Sequence, residues 1–297
     1  VRVLVTGGSG FVGRALVSRL AARGDEVRVV DLRPFPDPRV DALVGDLRDP
    51  ATVEAALAAG VDAVVHLAAV TSVLRSKEAP HEVFTTNVVA TELLLERCRT
   101  LGVGRFVLAS SNAVVGDVGR RTIDETLPLA PLTPYGATKA AGEMLCSAYA
   151  ASFGLVAVAL RFTNLYGPGM QDKDSVVARL MRAAITGSGI EVYGDGEQLR
   201  DYLYIDDACR ALELALALPG PATLCVGAGR SVSMNELHRL ACEATGRAIG
   251  KVHVPPKAGE MPAVIVDTSR LASLGLRPTV DLAEGLEATW RDFVARS

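Results

Sequence analysis

The sequence predicts an α/β fold: a doubly wound parallel sheet followed by a smaller, mixed α/β C-terminal lobe. Three observations predict it. Short, continuously apolar runs alternate with longer helical patterns through the first half, as buried parallel strands require. A glycine-rich turn stands at the first strand–helix junction, over residues 7–13. After residue 165 the alternation loosens and a differently patterned region begins. Together these describe a Rossmann-type architecture.

The elements follow in order. Runs at 1–6, 26–31, 42–45, 63–67, 105–110 and 156–161 read as buried strands, and helical patterns occupy 12–23, 50–59, 80–101 and 134–153. Residues 166–170, Tyr-Gly-Pro-Gly-Met, read as a loop. A helix at 174–186, a strand at 190–193, a polar loop at 194–197, and helices near 205–217, 233–245 and 281–295 complete the chain. The two lobes are expected to share one body, with a ligand cleft at the carboxyl ends of the strands.

Composition excludes several classes. The chain has 297 residues, 49% hydrophobic and 22% charged, with a net charge of −3. Its basic residues are scattered, which argues against a nucleic-acid or anionic-membrane surface. Five dispersed cysteines without a Cys-x-x-Cys pair read as reduced core thiols. The four histidines have no metal-ligand spacing, so no metal is expected. Strand-like sequence starts at residue 1, which reads as no signal peptide. The most apolar late stretch, 208–218, is short and carries Arg210 and Glu213, so no membrane span is expected. The expected compartment is the cytoplasm.

The turn carries glycine at Gly7, Gly10 and Gly13 around Phe11 and Val12. The first glycine permits a tight turn, the second lets backbone approach a pyrophosphate, and the third lets helix pack on strand. The free N–H groups of the following helix then face the phosphates. Asp31 ends the second strand, where a carboxylate accepts ribose hydroxyls and repels a 2′-phosphate. That favours NAD over NADP, although Arg33 argues the other way.

Tyr135 and Lys139 are four residues apart in a helical pattern and so share a face. An ammonium beside a phenol is expected to lower its pKa below the ordinary ~10 and make a base for an alcohol proton.

In this setting the chain resembles the extended short-chain dehydrogenase/reductase family, and within it the nucleotide-sugar 4-epimerases of the UDP-galactose 4-epimerase type. The marks are residues 6–13, 45–49, 66–69, Asn87, Ser110-Ser111, 135–139, 161–168, 200–202 and Gly259-Glu260. The resemblance implies a homodimeric, NAD-dependent isomerase of UDP-sugars. Residues 1–165 would form the NAD-binding domain, with 196–225 returning to it. The nucleotide-sugar lobe would comprise 166–195 and 226–297. Asp46 and Leu47 would flank the adenine, Leu67, Ala68 and Ala69 would line the pyrophosphate and nicotinamide ribose, and Asn87 would support the active-site end of a helix. Ser111 is implied as the catalytic hydroxyl beside Tyr135 and Lys139. Asn164 and Arg200 would contact the diphosphate, Tyr193 the nucleobase, and Glu260 the nucleotide ribose. Lys257 replaces a family arginine, keeping its charge without the fork.

The implied chemistry oxidises the sugar 4-hydroxyl and reduces the 4-keto sugar on its other face. Asn112 and Ala113 stand where related 4,6-dehydratases carry an acid pair, which disfavours dehydration. Val264 stands at a gate position that is Tyr in enzymes restricted to plain hexoses, so tolerance of UDP-N-acetylhexosamine is expected. Lack of an arginine in 169–172 disfavours a uronate. The alternatives are a nucleotide-4-ketosugar reductase and a uronate 4-epimerase.

Overall fold

The computed structural model describes residues 1–58, 60–256 and 261–296. They group into two compact units. The first is Val1–Asp117, Glu125–Phe162 and Cys209–Leu224, and the second is Val118–Asp124, Thr163–Ala208 and Cys225–Ser297.

The first unit is organised around a seven-stranded sheet. Its strand order is Ala222–Val226, Val156–Phe162, Arg105–Ser111, Ala63–His66, Arg2–Thr6, Glu26–Asp31, Asp41–Val44. Every pairing from Asp41–Val44 across to Val156–Phe162 is parallel. Central strands are largely apolar and buried, as two helical layers demand: Ala63–His66 is buried at each residue. The four-residue edge strand Asp41–Val44 is largely exposed, and its shortness limits edge-to-edge pairing. The chain leaves Arg2–Thr6 toward one side and enters Ala63–His66 on the other. The topological switch point therefore lies between these strands, with the glycine turn at its mouth.

On one face, Leu4, Val64 and Phe106 of the sheet pack with Leu94, Leu95 and Cys98 of the helix Ala90–Leu101. Burying a Leu or Phe side chain contributes roughly 1.5–3 kcal/mol, so this layer supplies much of the unit's cohesion. The helical pattern read as 80–101 is not one α-helix. It comprises Pro80–Phe84, a π-turn over Thr85–Val89, and Ala90–Leu101. The wide turn contains the buried Asn87.

Among the described residues, the second unit has three small sheets. Leu199–Tyr204 runs parallel to Asn164–Tyr166 and antiparallel to Ser231–Ser233. Gly189–Tyr193 pairs with Gly250–Val254, and Thr122–Ile123 with Ile265–Val266. The helices Val176–Thr186, Met234–Thr245 and Leu282–Ala295 pack together. Sequence pattern missed most of these strands. Strands of two to six residues carry too few alternations to register as a period. Tyr166 ends a strand rather than opening a loop, and its ring packs edge-on against Tyr204 at 5.6 Å.

Candidate active site

The glycine turn is built by close approach. Gly7 takes φ +68°, a left-handed conformation disfavoured for side-chain-bearing residues. A Cβ on it would come within 2.7 Å of the Ala68 backbone nitrogen. A Cβ on Gly13 would collide with the Gly7 carbonyl oxygen and come within 2.5 Å of Gly8 Cα. The helix Phe11–Ala22 follows with Gly10 as N-cap, which offers no side-chain acceptor to the first-turn N–H groups. Those groups are thus presented outward with the positive end of the helix dipole, as an anion requires.

Asp31 closes the same mouth. One carboxylate oxygen accepts from the Ser9 N–H and the other from the Arg33 N–H, each at 3.0 Å. Each oxygen keeps lone pairs for hydroxyl donors. The Arg33 guanidinium turns back to the Ser9 carbonyl at 3.4 Å. The cradle, the uncapped helix terminus and the carboxylate fit a dinucleotide. Asp46 and Leu47 lie further along, engaged otherwise. Asp46 is paired with Arg48, which holds its carboxyl below the usual range, and Leu47 is packed in the core.

Behind the turn runs a continuous hydrogen-bond chain through the buried His66. Thr91 Oγ1 donates its one proton to the Asn87 carbonyl at 2.6 Å, so it accepts from His66 Nε2 at 2.9 Å. The ring proton is therefore on Nε2. His66 Nδ1 accepts from Thr6 Oγ1 at 2.7 Å, and Thr6 Oγ1 in turn accepts from the Ala68 N–H at 3.2 Å. Burial, with the nearby Lys139 charge, pushes the imidazole down to about 3, and the ring is neutral. Leu67 is fixed beside it by its N–H to the Thr6 carbonyl, and Ala69 continues the half-buried run.

Asn87 carries the chain to the helix Pro134–Phe153. Its side-chain oxygen accepts from Val70 N–H, while its amide donates to the Val70 carbonyl and to Thr138 Oγ1. Thr138 Oγ1 donates onward to the Tyr135 carbonyl at 2.8 Å. The helix Pro134–Phe153 starts where the sequence demands it, with Pro134 in its first turn and Thr133 Oγ1 accepting from the Gly136 N–H.

Tyr135, Lys139 and Glu143 occupy successive turns of this helix and meet successive residues at the end of the strand Arg105–Ser111. Lys139 Nζ donates to the Ala109 carbonyl at 2.8 Å. Glu143 accepts from Ser110 Oγ. Tyr135 lies beside the Ser111 side chain, which favours the ionised phenol. Ser111 Oγ also accepts from the Ala113 N–H at 3.2 Å, capping the 3₁₀ turn Asn112–Val115. The hydroxyl thus serves the turn and faces the phenol at once.

One expectation is corrected here. Lys139 is not among the groups that depress the Tyr135 phenol; its ammonium lies on the Ala109 carbonyl. Burial raises the phenol above its ordinary value, and the Ser111 side chain opposes that. Lys139 itself is 5% exposed, and burial pushes it down to about 8 against the opposing influence of Cys146 and Glu143. Sequence reading passed over Glu143. Its spacing of four from Lys139 and eight from Tyr135 was the available signal.

The remaining candidates belong to the second unit. Asn164 Nδ2 donates to the Asp201 carbonyl at 2.9 Å. The Asp201 carboxylate is buried and accepts from Thr163 Oγ1 and from the N–H groups of Ala228 and Gly229. It anchors the strand that carries Arg200. Arg200 Nη1 and the Val264 N–H both donate to the Leu199 carbonyl, at 2.8 and 2.9 Å. Val264 is 2% exposed, and its carbonyl accepts from Ser231 Oγ. Tyr193 is half-buried at the end of its strand, its hydroxyl 3.4 Å from Glu191. Lys257 and Glu260 lie outside the described residues. Among the described residues, no group of three His, Cys, Asp or Glu side chains is placed to hold a metal ion.

The geometry has known counterparts. A UDP-glucose 4-epimerase of Thermus thermophilus, solved in complex with NAD, is 36% identical and superposes with a TM-score of 0.95 over 100% of both chains. A UDP-glucose 4-epimerase of Mycolicibacterium smegmatis is 33% identical over 100% of both chains. A dTDP-glucose 4,6-dehydratase of an Actinoplanes species is also 33% identical, covering 97% of this chain and 96% of that one. The profile of the NAD dependent epimerase/dehydratase family matches residues 3–227, and the chain belongs to that family.

Proposed function

We propose that the chain is an NAD-dependent nucleotide-sugar 4-epimerase that interconverts UDP-glucose and UDP-galactose through a transient 4-keto sugar. The observation that carries this reading is the arrangement at Ser111: its side chain beside Tyr135, Lys139 one turn on, and no carboxylate in the 3₁₀ turn that follows. Dehydratases are among the relatives, but elimination of water needs an acid and a base at the sugar, and Asn112 and Ala113 supply neither.

The Gly7–Gly13 cradle and the first turn of Phe11–Ala22 would hold the pyrophosphate, and Asp31 the adenosine ribose. NAD bound there supplies reversible hydride acceptance. The chain's own residues handle the proton and the position. Tyr135 as phenolate takes the proton of the sugar 4-hydroxyl and later returns it. Ser111 hydrogen-bonds the same oxygen. Lys139 would hold the nicotinamide ribose of the bound NAD, and the Ser111 side chain counters the burial that opposes the phenolate. Positioned general-base catalysis of this kind contributes roughly 10²- to 10⁴-fold. Asn164 and Arg200 grip the diphosphate, so the keto sugar can turn while tethered. Tyr193 lines the nucleobase pocket, and Val264 leaves room for an N-acetyl group.

A second copy of the chain would cover the apolar residues exposed on the first unit's helices, Phe84, Met144 and Phe153. No helix among the described residues is long and apolar enough to cross a membrane, and the cysteines are free. We place the enzyme in the cytoplasm on the reduced thiols.

The test incubates purified protein with UDP-glucose, UDP-N-acetylglucosamine, UDP-glucuronate and a dTDP-hexose, without added cofactor. Product NMR should show the 4-epimer of UDP-glucose. Consumption of NADH with a 4-keto sugar, and no epimer from any substrate, would assign a reductase instead.

A further inference from the structure

Glu143 and Arg161 form an ion pair inside the first unit, 6% and 4% exposed. Arg161 donates from Nε to both carboxylate oxygens at 3.1 Å and from Nη2 to one at 2.8 Å. The Ser110 hydroxyl donates to the same carboxylate. A buried pair of this kind is weak as a source of stability, because desolvating two charges is costly and apolar replacements often do as well. Its position gives it another use. It lies one helical turn beyond Lys139, and its third partner is the residue between the Lys139 acceptor, Ala109, and Ser111.

We propose that Glu143, clamped by Arg161 and Ser110, is a positioning residue that keeps Lys139 charged and holds its turn of the helix against the strand end. This deepens the epimerase reading and rests on it for its consequence in turnover. The groups facing Lys139 support the assignment. Tyr135 and Cys146 lie on its own helix, and the strand Arg105–Ser111 brings only a carbonyl and two hydroxyls. The strand Ala63–His66 brings His66, which is neutral. Arg161, of the strand Val156–Phe162, reaches this turn of the helix through the Glu143 carboxylate. The Cys146 thiol is pushed up to about 12, chiefly by burial, and stays neutral at physiological pH. Glu143 is then the anion that opposes the burial of the Lys139 ammonium, and Arg161 keeps that anion fixed and solvated by hydrogen bonds.

Glu143→Gln removes the anion beside Lys139 and Arg161, so Lys139 loses its proton more easily. Arg161→Gln removes the competing cation, so Lys139 holds its proton more firmly. The two changes together remove a net charge of zero. The experiment titrates lysine isotopically labelled at Cε by NMR in the cofactor-free protein, with Lys139 assigned by the signal lost in Lys139→Met. The Lys139 midpoint should fall by about one pH unit in E143Q, rise in R161Q, and return close to wild type in the double variant. The alkaline limb of the kcat profile should follow the same order. An unchanged midpoint in the single variants, or shifts of the same sign in both, overturns the proposal. If a single variant does not fold, the double variant decides: a displaced midpoint there argues against the assignment. Correct midpoint shifts with no epimer formed from any nucleotide sugar would sink the epimerase reading and leave the role of Glu143 standing.

Discussion

Lys139 donates its ammonium to the carbonyl of Ala109 at 2.8 Å, thirty residues back in the chain. The contact fixes a charged group inside the first unit at a cost in stability. In the unfolded chain Lys139 keeps its proton up to about its ordinary 10.5, whereas the folded group releases it at about 8. Between these values the unfolded chain binds more protons, so stability rises with pH across that window. The penalty is fully present below pH 8. Lys139→Met should therefore raise the melting temperature at pH 7, by about 2–4 °C for each kcal/mol relieved, and abolish the rise between pH 8 and 10. Turnover should fall by at least ~10²-fold. Calorimetry of both proteins against pH checks the sign, and a lower melting temperature at pH 7 would contradict it.

His66 gives the opposite end of the pH scale. Its folded value is about 3 against an ordinary 6.5, so the unfolded chain takes up a proton first as the solution is acidified. The stability present above pH 6.5 is lost as pH falls toward 3, at a slope of ~1.4 kcal/mol per pH unit. Urea denaturation between pH 7 and 5 should show this slope in the wild type and its loss in His66→Gln. Parallel curves for the two proteins would remove His66 from the account.

Gly13→Ala places a methyl group against the Gly7 carbonyl and the Gly8 backbone. Neither can retreat without deforming the turn. The substitution should cost ~1–3 kcal/mol and strip the protein of copurified NAD. Gly104→Ala, whose added Cβ meets nothing within 4 Å, is the control and should retain both stability and cofactor.

Asp31 holds the Ser9 and Arg33 amides and presents its remaining lone pairs. Asp31→Ser removes the charge that repels a 2′-phosphate and leaves Arg33 in place. Reconstitution of the cofactor-free protein should show NAD affinity falling by about 10-fold and NADP affinity rising. NAD preference unchanged in this variant would assign the discrimination elsewhere.

Val264 and Arg200 share the Leu199 carbonyl, so a change at 264 acts beside the proposed diphosphate grip. Val264→Tyr should lower kcat/KM for UDP-N-acetylglucosamine at least ~10-fold more than for UDP-glucose. Equal losses on both substrates would indicate a packing role for this 2% exposed residue rather than a gate.

Some of this was legible in the chain. The continuous apolar runs at 63–67 and 156–161 announced buried parallel strands, because a strand covered on both faces has no polar side to show. Gly7 and Gly13 were legible because a backbone with φ +68° and a helix seated on a strand tolerate few other residues. The second unit was read poorly. Leu199–Tyr204 contains the charged pair Arg200-Asp201 and shows no alternation, yet Asp201 is wholly buried. Its burial is sustained by hydroxyl and amide donors from Thr163, Ala228 and Gly229, which no local pattern could bring to mind.

By itself, the sequence determined what depends on neighbours along the chain: the alternation of strands and helices in the first unit, the glycine turn, and a helix with Tyr135 and Lys139 on one face. Spacing of four fixes that face whatever surrounds it. The tertiary structure decided what those groups experience. The partner of Lys139 is 30 residues away, that of Glu143 is 18 away, and that of Thr6 is 60 away. These partners meet because parallel crossovers bring strand ends together in one register. Proton affinity follows from that meeting, since burial and the few charges that accompany it set the balance between charged and neutral forms. The Tyr135 phenol, expected from spacing alone to be lowered, is raised for this reason.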